Sequence, residues 1–190
     1  MANFVSVIIP TYNREKILEI CLDSVLNQTY KDYEVIVVDN NSIDNTKQII
    51  KEFEKKDRKI KYVFESERKR GSARNTGEMV AKGEIILMTD DDCIVSKNWI
   101  EKMIEPIVKE SCDAVQGFQE PIIHNFWTNQ IQTAHIEKFG NMGKEIIGFI
   151  DTKNFAVKYD VLKKIGFTNR KYLSGNDIYL SIKLLSILNN

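Results

Sequence analysis

Residues 84–92 read Glu84-Ile85-Ile86-Leu87-Met88-Thr89-Asp90-Asp91-Asp92. The apolar run is continuous rather than alternating, which is the pattern of a strand covered on both faces, as in a parallel sheet. Three carboxylates stand where that strand ends. Runs of the same kind recur upstream at Phe4–Ile9, Tyr33–Val38 and Ile60–Phe64, and downstream at Asp113–Phe118. Between them apolar residues fall at helical spacing: Ile17, Leu18, Cys21, Leu22, Val25 and Leu26; then Ile49, Ile50 and Phe53; then Ile100, Met103, Ile104 and Ile107. Ser96 reads as the N-cap of the helix after the acidic triplet, Gly83 as the stop of the helix before it, and Pro106 as a kink or early end of the later helix. Strand alternating with helix predicts an α/β domain with a mostly parallel central sheet flanked by helices. Such sheets bind ligands beyond the carboxyl ends of their strands.

After residue 120 the rhythm changes. Residues 125–139 read as a helix, 140–148 as a loop with three glycines, 149–157 as a returning strand and 178–188 as a last helix. That helix is apolar nearly all round and predicts burial on most sides, against an oligomeric partner, a membrane surface or chain beyond residue 190, the last being preferred. The expectation is one domain over 1–190, continuing in a longer natural protein.

Composition narrows the function. The 190 residues are 43% hydrophobic and 28% charged, with 27 Lys+Arg balancing 27 Asp+Glu, so a general affinity for nucleic acid is not expected. Three cysteines, Cys21, Cys93 and Cys112, lie far apart without metal-ligand spacing and predict a reducing, cytoplasmic setting, the inner face of the membrane included. No run approaches a membrane span. The balance hides two local surpluses: eleven Lys/Arg against five Asp/Glu between Lys47 and Arg74, and nine Asp/Glu against three Lys/Arg between Glu84 and Glu120. Charge runs of this kind are ordinarily solvated faces.

The strand ends carry the chemistry. The first ends in Pro10-Thr11-Tyr12-Asn13, without the glycine fingerprint of a dinucleotide fold, the lysine loop of a P-loop protein or the acidic residues of a phosphoacceptor domain. The second ends in Val38-Asp39-Asn40-Asn41-Ser42, where a carboxylate can accept from a ring imide nitrogen or simply shape an Asx turn. Gly71-Ser72-Ala73-Arg74-Asn75-Thr76-Gly77 opens a helix behind a basic run. It reads either as a site where backbone and Arg74 approach an anion or as a tightly packed helix start. Asp90-Asp91-Asp92 would repel one another without a cation, and their oxygens suit Mg²⁺ or Mn²⁺ shared with substrate phosphates; an Asp-rich capping turn is the plainer alternative.

Taken in order with Ser174-Gly175-Asn176-Asp177, these segments resemble glycosyltransferase family 2, with its GT-A fold. The resemblance implies an inverting transfer of a sugar from a nucleotide-diphosphate donor, a UDP-sugar above all, to a hydroxyl of a saccharide or lipid-linked acceptor. It divides the chain into a nucleotide-sugar half, 1–118, and an acceptor half, 119–190. It implies that Pro10, Thr11, Asn13, Asp39, Gly71, Arg74, Asp90 and Asp91 hold the nucleotide, with Asp39 facing uracil. Asp92, with Asp90, would hold Mn²⁺ or Mg²⁺, and Asp177 would be the catalytic base. The family's usual acidic residue before that base is Asn176 here, which bears on acceptor positioning. Trp127, Asn154 and Asn176 are acceptor-side candidates, as are His124 and His135, although Trp and His at such places are more often structural. Two other classes fit less well: a nucleotidyltransferase, which would show a Gly-rich basic turn after its first strand, and a noncatalytic nucleotide-sugar-binding module.

Overall fold

The structure is a computed structural model that describes residues 3–122, 128, 130, 133, 150–172 and 176–188. Strands β1 (Val5–Thr11), β2 (Tyr33–Asp39), β3 (Ile60–Phe64) and β4 (Ile85–Thr89) alternate with helices α1 (Leu18–Leu26), α2 (Thr46–Lys56) and α3 (Arg70–Val80). Then come α4 (Trp99–Val108), β5 (Ala114–Gln116), β6 (Asn154–Lys158), α5 (Tyr159–Lys164) and α6 (Asn176–Leu188). The six strands form one sheet in the order β3-β2-β1-β4-β6-β5. The four strands from β3 to β4 run parallel, and β6 lies antiparallel to both β4 and β5.

Every residue of β1, β2 and β4 is buried, as the unbroken apolar runs predict. Pleating divides them between two cores. Val5, Val7, Ile9, Val35, Val37 and Leu87 meet α1, α2 and α4 on one face. Ile8, Ile36, Val38, Ile86 and Met88 meet α3, α5 and α6 on the other. Parallel register sets Thr11 beside Asp39, and Ile8 beside Met88, so the ends of β1, β2 and β4 open on one edge of the sheet. Because β6 is antiparallel with Asn154 opposite Thr89, residues 151–153 enter the sheet at the edge where β4 delivers Asp90.

Several expectations are corrected. The fifth strand is shorter than 113–118, and the sixth begins at Asn154 instead of 149, after a turn at 151–153. Ser96 is not the cap of α4: Asn98 holds that position without a side-chain cap, while the Ser96 carbonyl accepts from Trp99 N at 3.0 Å. Pro106 lies inside α4, which runs two residues past it. Helix α6 is buried along one stripe, at Leu180, Ser181 and Leu184, while Ile178 and Ile182 are exposed. The expected helix at 125–139 and glycine loop at 140–148 lie outside the described residues, apart from single helical positions within the former.

Gly83 does not stop a helix either, since α3 ends at Val80. It lies where the backbone crosses β1: a Cβ there would stand 2.4 Å from Ser6 N and 2.8 Å from the Val5 carbonyl carbon. Its N–H donates to Ser6 Oγ at 2.8 Å. Backbone cannot yield as a side-chain tip can, so Gly83→Ala is expected to cost about 2 kcal/mol or more by overpacking. Denaturant midpoints of the two proteins check this, with an unchanged slope marking a loss of stability rather than of compactness.

Candidate active site

At the carboxyl edge lies a cleft of about 500 Å³ lined by residues 10–14, Asn40, residues 68–70, Ala73 and residues 90–92. Its lining is basic at Arg68, Lys69 and Arg70, where the chain enters α3, and acidic at the triplet.

Interlocked turns hold the floor. Asn13 and Asn41, just past β1 and β2, adopt left-handed backbone (φ 52° and 65°), which asparagine tolerates better than most residues. Asn13 N donates to Ser42 Oγ at 3.0 Å, and Asn13 Oδ1 accepts from Ile43 N at 2.9 Å. Asn40 N donates to the Thr11 carbonyl at 2.8 Å, and Asn40 Nδ2 to that of Glu67 at 2.6 Å. The turn after β2 therefore fixes both the loop after β1 and the segment leading into the basic wall.

The three aspartates differ in environment. Asp90 Oδ1 accepts from Arg74 Nη2 at 2.6 Å, an ion pair whose guanidinium is only 3% exposed. Asp91 is buried, and that burial raises its pKa; the Thr11 hydroxyl and Arg14 oppose the rise, while the charges of Asp92 and Asp90 add to it. Asp92 is half-exposed, with Arg14 Nη2 3.7 Å away. Arg14 Nε lies 3.5 Å from Asp91.

Among the described residues no group of three or more His, Cys, Asp or Glu side chains forms a metal cage. The donor chemistry nonetheless fits Mg²⁺ or Mn²⁺, because these ions accept one or two carboxylates and complete their shell with water and substrate phosphate. An accessible Asp92 in a cleft with a basic wall suits that mode. The cysteine beside it is poorly suited to nucleophilic chemistry, since burial pushes the Cys93 thiol pKa up. All three cysteines are free.

Of the nucleotide-site candidates, Pro10, Thr11, Asn13, Asp90 and Asp91 meet in the cleft, together with Asp92. Asp39, Gly71 and Arg74 lie behind its surface. Asp39 is buried, accepting from Ser42 N at 2.9 Å and the Tyr62 hydroxyl at 3.0 Å. Gly71 is buried in the first turn of α3. Arg74 sits one turn further along, tied to Asp90.

Asp177 lies in the first turn of α6, and its Oδ1 accepts from Thr152 N at 3.1 Å and Thr152 Oγ1 at 2.6 Å. Thr152 belongs to the turn before β6, so this contact sets the carboxylate at the same sheet edge as the triplet. Asn154 spends its side chain inside the protein: Oδ1 accepts from Trp99 Nε1 at 2.8 Å, and Nδ2 donates to the Phe118 carbonyl at 2.8 Å. Trp127, His124, His135, Ser174, Gly175 and the side chain of Asn176 lie outside the described residues.

The cleft also takes in Arg14, Arg68, Lys69, Arg70 and Tyr12, none of which is among the candidates read from the sequence. Their signal was position, directly after β1 and directly before α3. Arg68 packs over the Tyr12 ring, 5.2 Å from its centroid, which joins the basic wall to the β1 loop.

A second carboxylate supports α3 from behind. Glu78, one turn beyond Arg74, is fully buried and accepts from Thr168 N at 2.7 Å and from the Thr168 hydroxyl. Burial raises its pKa to about 7, against those two hydrogen bonds and the charge of Arg74. The native state therefore keeps this proton over a pH range in which the unfolded chain has lost it, and stability falls as pH rises from the ordinary glutamate value toward 7. Melting temperatures of wild type and Glu78→Gln across pH 4.5 to 7.5 check this: the wild type is expected to lose ground relative to the variant as pH rises, with no further change above the folded-state pKa.

Comparison with known proteins identifies the family and the fold. The profile of the family described as "Glycosyl transferase family 2" matches residues 6–166. Glycosyltransferase AglE of Haloferax volcanii is 35% identical over 183 residues, covering 93% of this chain and 59% of AglE. Among solved structures, mannosyltransferase PcManGT from Pyrobaculum calidifontis, in complex with GDP-Man and Mn²⁺, superimposes with a TM-score of 0.80 at 23% identity, covering 95% of this chain and 51% of that one. S. aureus TarS 1-349 in complex with UDP-GlcNAc gives 0.74 at 23% identity, covering 95% and 53%. The chain thus spans under two thirds of the length of each of these proteins.

Proposed function

We propose, from the premise that this chain belongs to glycosyl transferase family 2 and has the GT-A fold, that it carries the donor site of an inverting glycosyltransferase. The donor is a UDP-sugar, and the acceptor is a hydroxyl of a saccharide or lipid-linked saccharide. The observation that carries this reading is that Asp90-Asp91-Asp92 and Arg68-Lys69-Arg70 line one cleft at the carboxyl ends of the strands.

The residues divide the work. Thr11, Asn13 and the aromatic Tyr12 offer the floor on which a base and ribose lie. Asp39 lies behind that floor, bonded to Ser42 N and the Tyr62 hydroxyl; a carboxylate oxygen has two lone pairs, so it can also accept from a uracil imide N–H where the turn at Asn40 and Asn41 opens to the base. The basic wall attracts the diphosphate, and Asp92, with Asp90, supplies carboxylates for Mn²⁺ or Mg²⁺. When bound, the ion neutralises charge on the departing diphosphate. Asp177 takes the proton of the acceptor hydroxyl as that oxygen attacks the anomeric carbon from the face opposite the leaving group. Its bond to Thr152 holds the carboxylate in place for that step. The support for UDP is the imide-accepting chemistry of Asp39 and the UDP-GlcNAc bound by the structurally similar TarS; the support for metal is the oxygen donor set and the Mn²⁺ bound by PcManGT.

Thermal unfolding with UDP, GDP, dTDP and CDP, each with and without Mn²⁺, tests this. A UDP shift that needs Mn²⁺ and is lost in Asp92→Asn is expected. Asp177→Asn is expected to keep the UDP shift while donor hydrolysis or transfer falls by about 10²-fold or more, the scale of a lost general base. Equal, metal-independent shifts with every nucleotide would remove the donor-site reading, and a larger shift with GDP would reassign the base.

A further inference from the structure

The three aspartates are held by two guanidiniums of different character. Arg74 is buried, and its 2.6 Å contact to Asp90 is a charge-assisted hydrogen bond. Arg14 is 42% exposed, and its contacts to Asp91 and Asp92, at 3.5 and 3.7 Å, are too long for good hydrogen bonds. Only Coulomb attraction, screened by solvent, keeps it there. Its backbone, by contrast, is fixed. Arg14 N donates to Thr46 Oγ1 at 2.9 Å, and the left-handed Asn13 before it is bonded on both sides to the β2–α2 turn. A side-chain rotation therefore suffices to take the guanidinium off the carboxylates without moving the loop.

The geometry points to Arg14 as a placeholder cation. Its guanidinium neutralises Asp91 and Asp92 before a divalent cation binds, yields to that cation, and turns to the diphosphate that arrives with it. This rests on the donor-site reading above and adds a coupling to it. A metal ion alone must displace Arg14 into a cleft already lined by Arg68, Lys69 and Arg70, with no new anion to receive it. The diphosphate supplies that anion, so nucleotide makes the metal bind better. By linkage the metal improves nucleotide binding by the same factor. Arg14 is a positioning residue in this account, acting on the charge balance of the cleft.

Titration calorimetry of the whole chain with Mn²⁺ alone, UDP alone, and UDP in saturating Mn²⁺ reads that coupling. Arg14→Met is expected to bind Mn²⁺ alone about five-fold tighter, the upper scale of an exposed ion pair, and to lose a comparable factor of the coupling between Mn²⁺ and UDP. Arg14→Lys, which keeps the charge, is expected to stay near wild type in both. Equal melting temperatures of the three proteins establish that folding is intact, as the exposure of Arg14 leads one to expect. If wild type shows metal–nucleotide coupling and Arg14→Met shows the same coupling and the same Mn²⁺ affinity, or weaker Mn²⁺ binding, the placeholder role is wrong while the donor site stands. If wild type binds UDP without regard to Mn²⁺, and Asp92→Asn behaves identically, the metal reading itself fails and the role of Arg14 with it.

Discussion

Three consecutive carboxylates at the end of a fully buried strand are an electrostatic problem that the fold must solve before it can do anything else. Side by side, they repel one another and oppose folding unless cations cover them. The solution here is the Arg74–Asp90 pair, placed by α3 against the end of β4. An uncompensated guanidinium at the depth of Arg74 would cost several kcal/mol, so Asp90 and Arg74 need each other. With Asp90 neutralised from within, Asp91 tucks under the cleft surface and Asp92 is left half-exposed at the lip. The division into an anchored, a buried and an accessible carboxylate follows from where one arginine sits.

That arginine is itself held from behind. Glu78 lies one turn along the same helix and binds Thr168, which precedes the segment leading to α6. Arg170 extends the tie by bonding Glu65, 2.7 Å away at the end of β3, and Thr76 on α3, 3.0 Å away. The helix that pairs with the triplet is stitched to the approach of the helix whose first turn holds Asp177. The triplet and Asp177 thus share one support. The antiparallel β6 completes the arrangement by bringing Thr152, and with it Asp177, to the edge where β4 ends.

Much of this was legible in the sequence. Unbroken runs such as Glu84–Thr89 predict doubly covered strands because burial on both faces removes the polar alternation, and the core confirms them. The motifs at the ends of β1 and β4 predict the cleft because parallel strands deliver their ends to one edge. What escaped reading depends on contacts distant in sequence. Arg68, Lys69 and Arg70 look like any solvated charge run until β4 places the triplet in the same cleft. Arg14 looks like a helix-approach residue until Asn13 turns it toward Asp91. Gly83 looks like a helix stop, whereas its lack of a side chain serves the crossing of β1. Asn154 reads as an acceptor-side candidate, and what its sequence position does not show is that its amide also joins α4 to the chain after β5. Arg74 reads from sequence as a residue that could approach an anion, and in this structure its partner is Asp90.

The central proposal is that the triplet offers a metal two carboxylates, Asp90 anchored by Arg74 and Asp92 accessible at the lip. Anomalous diffraction at the manganese edge from crystals grown with UDP and Mn²⁺ tests it most directly. The account predicts one manganese peak between Asp92 and the diphosphate, with the Arg74–Asp90 contact intact. A peak away from Asp92, or an Asp90 that has left Arg74, would contradict it.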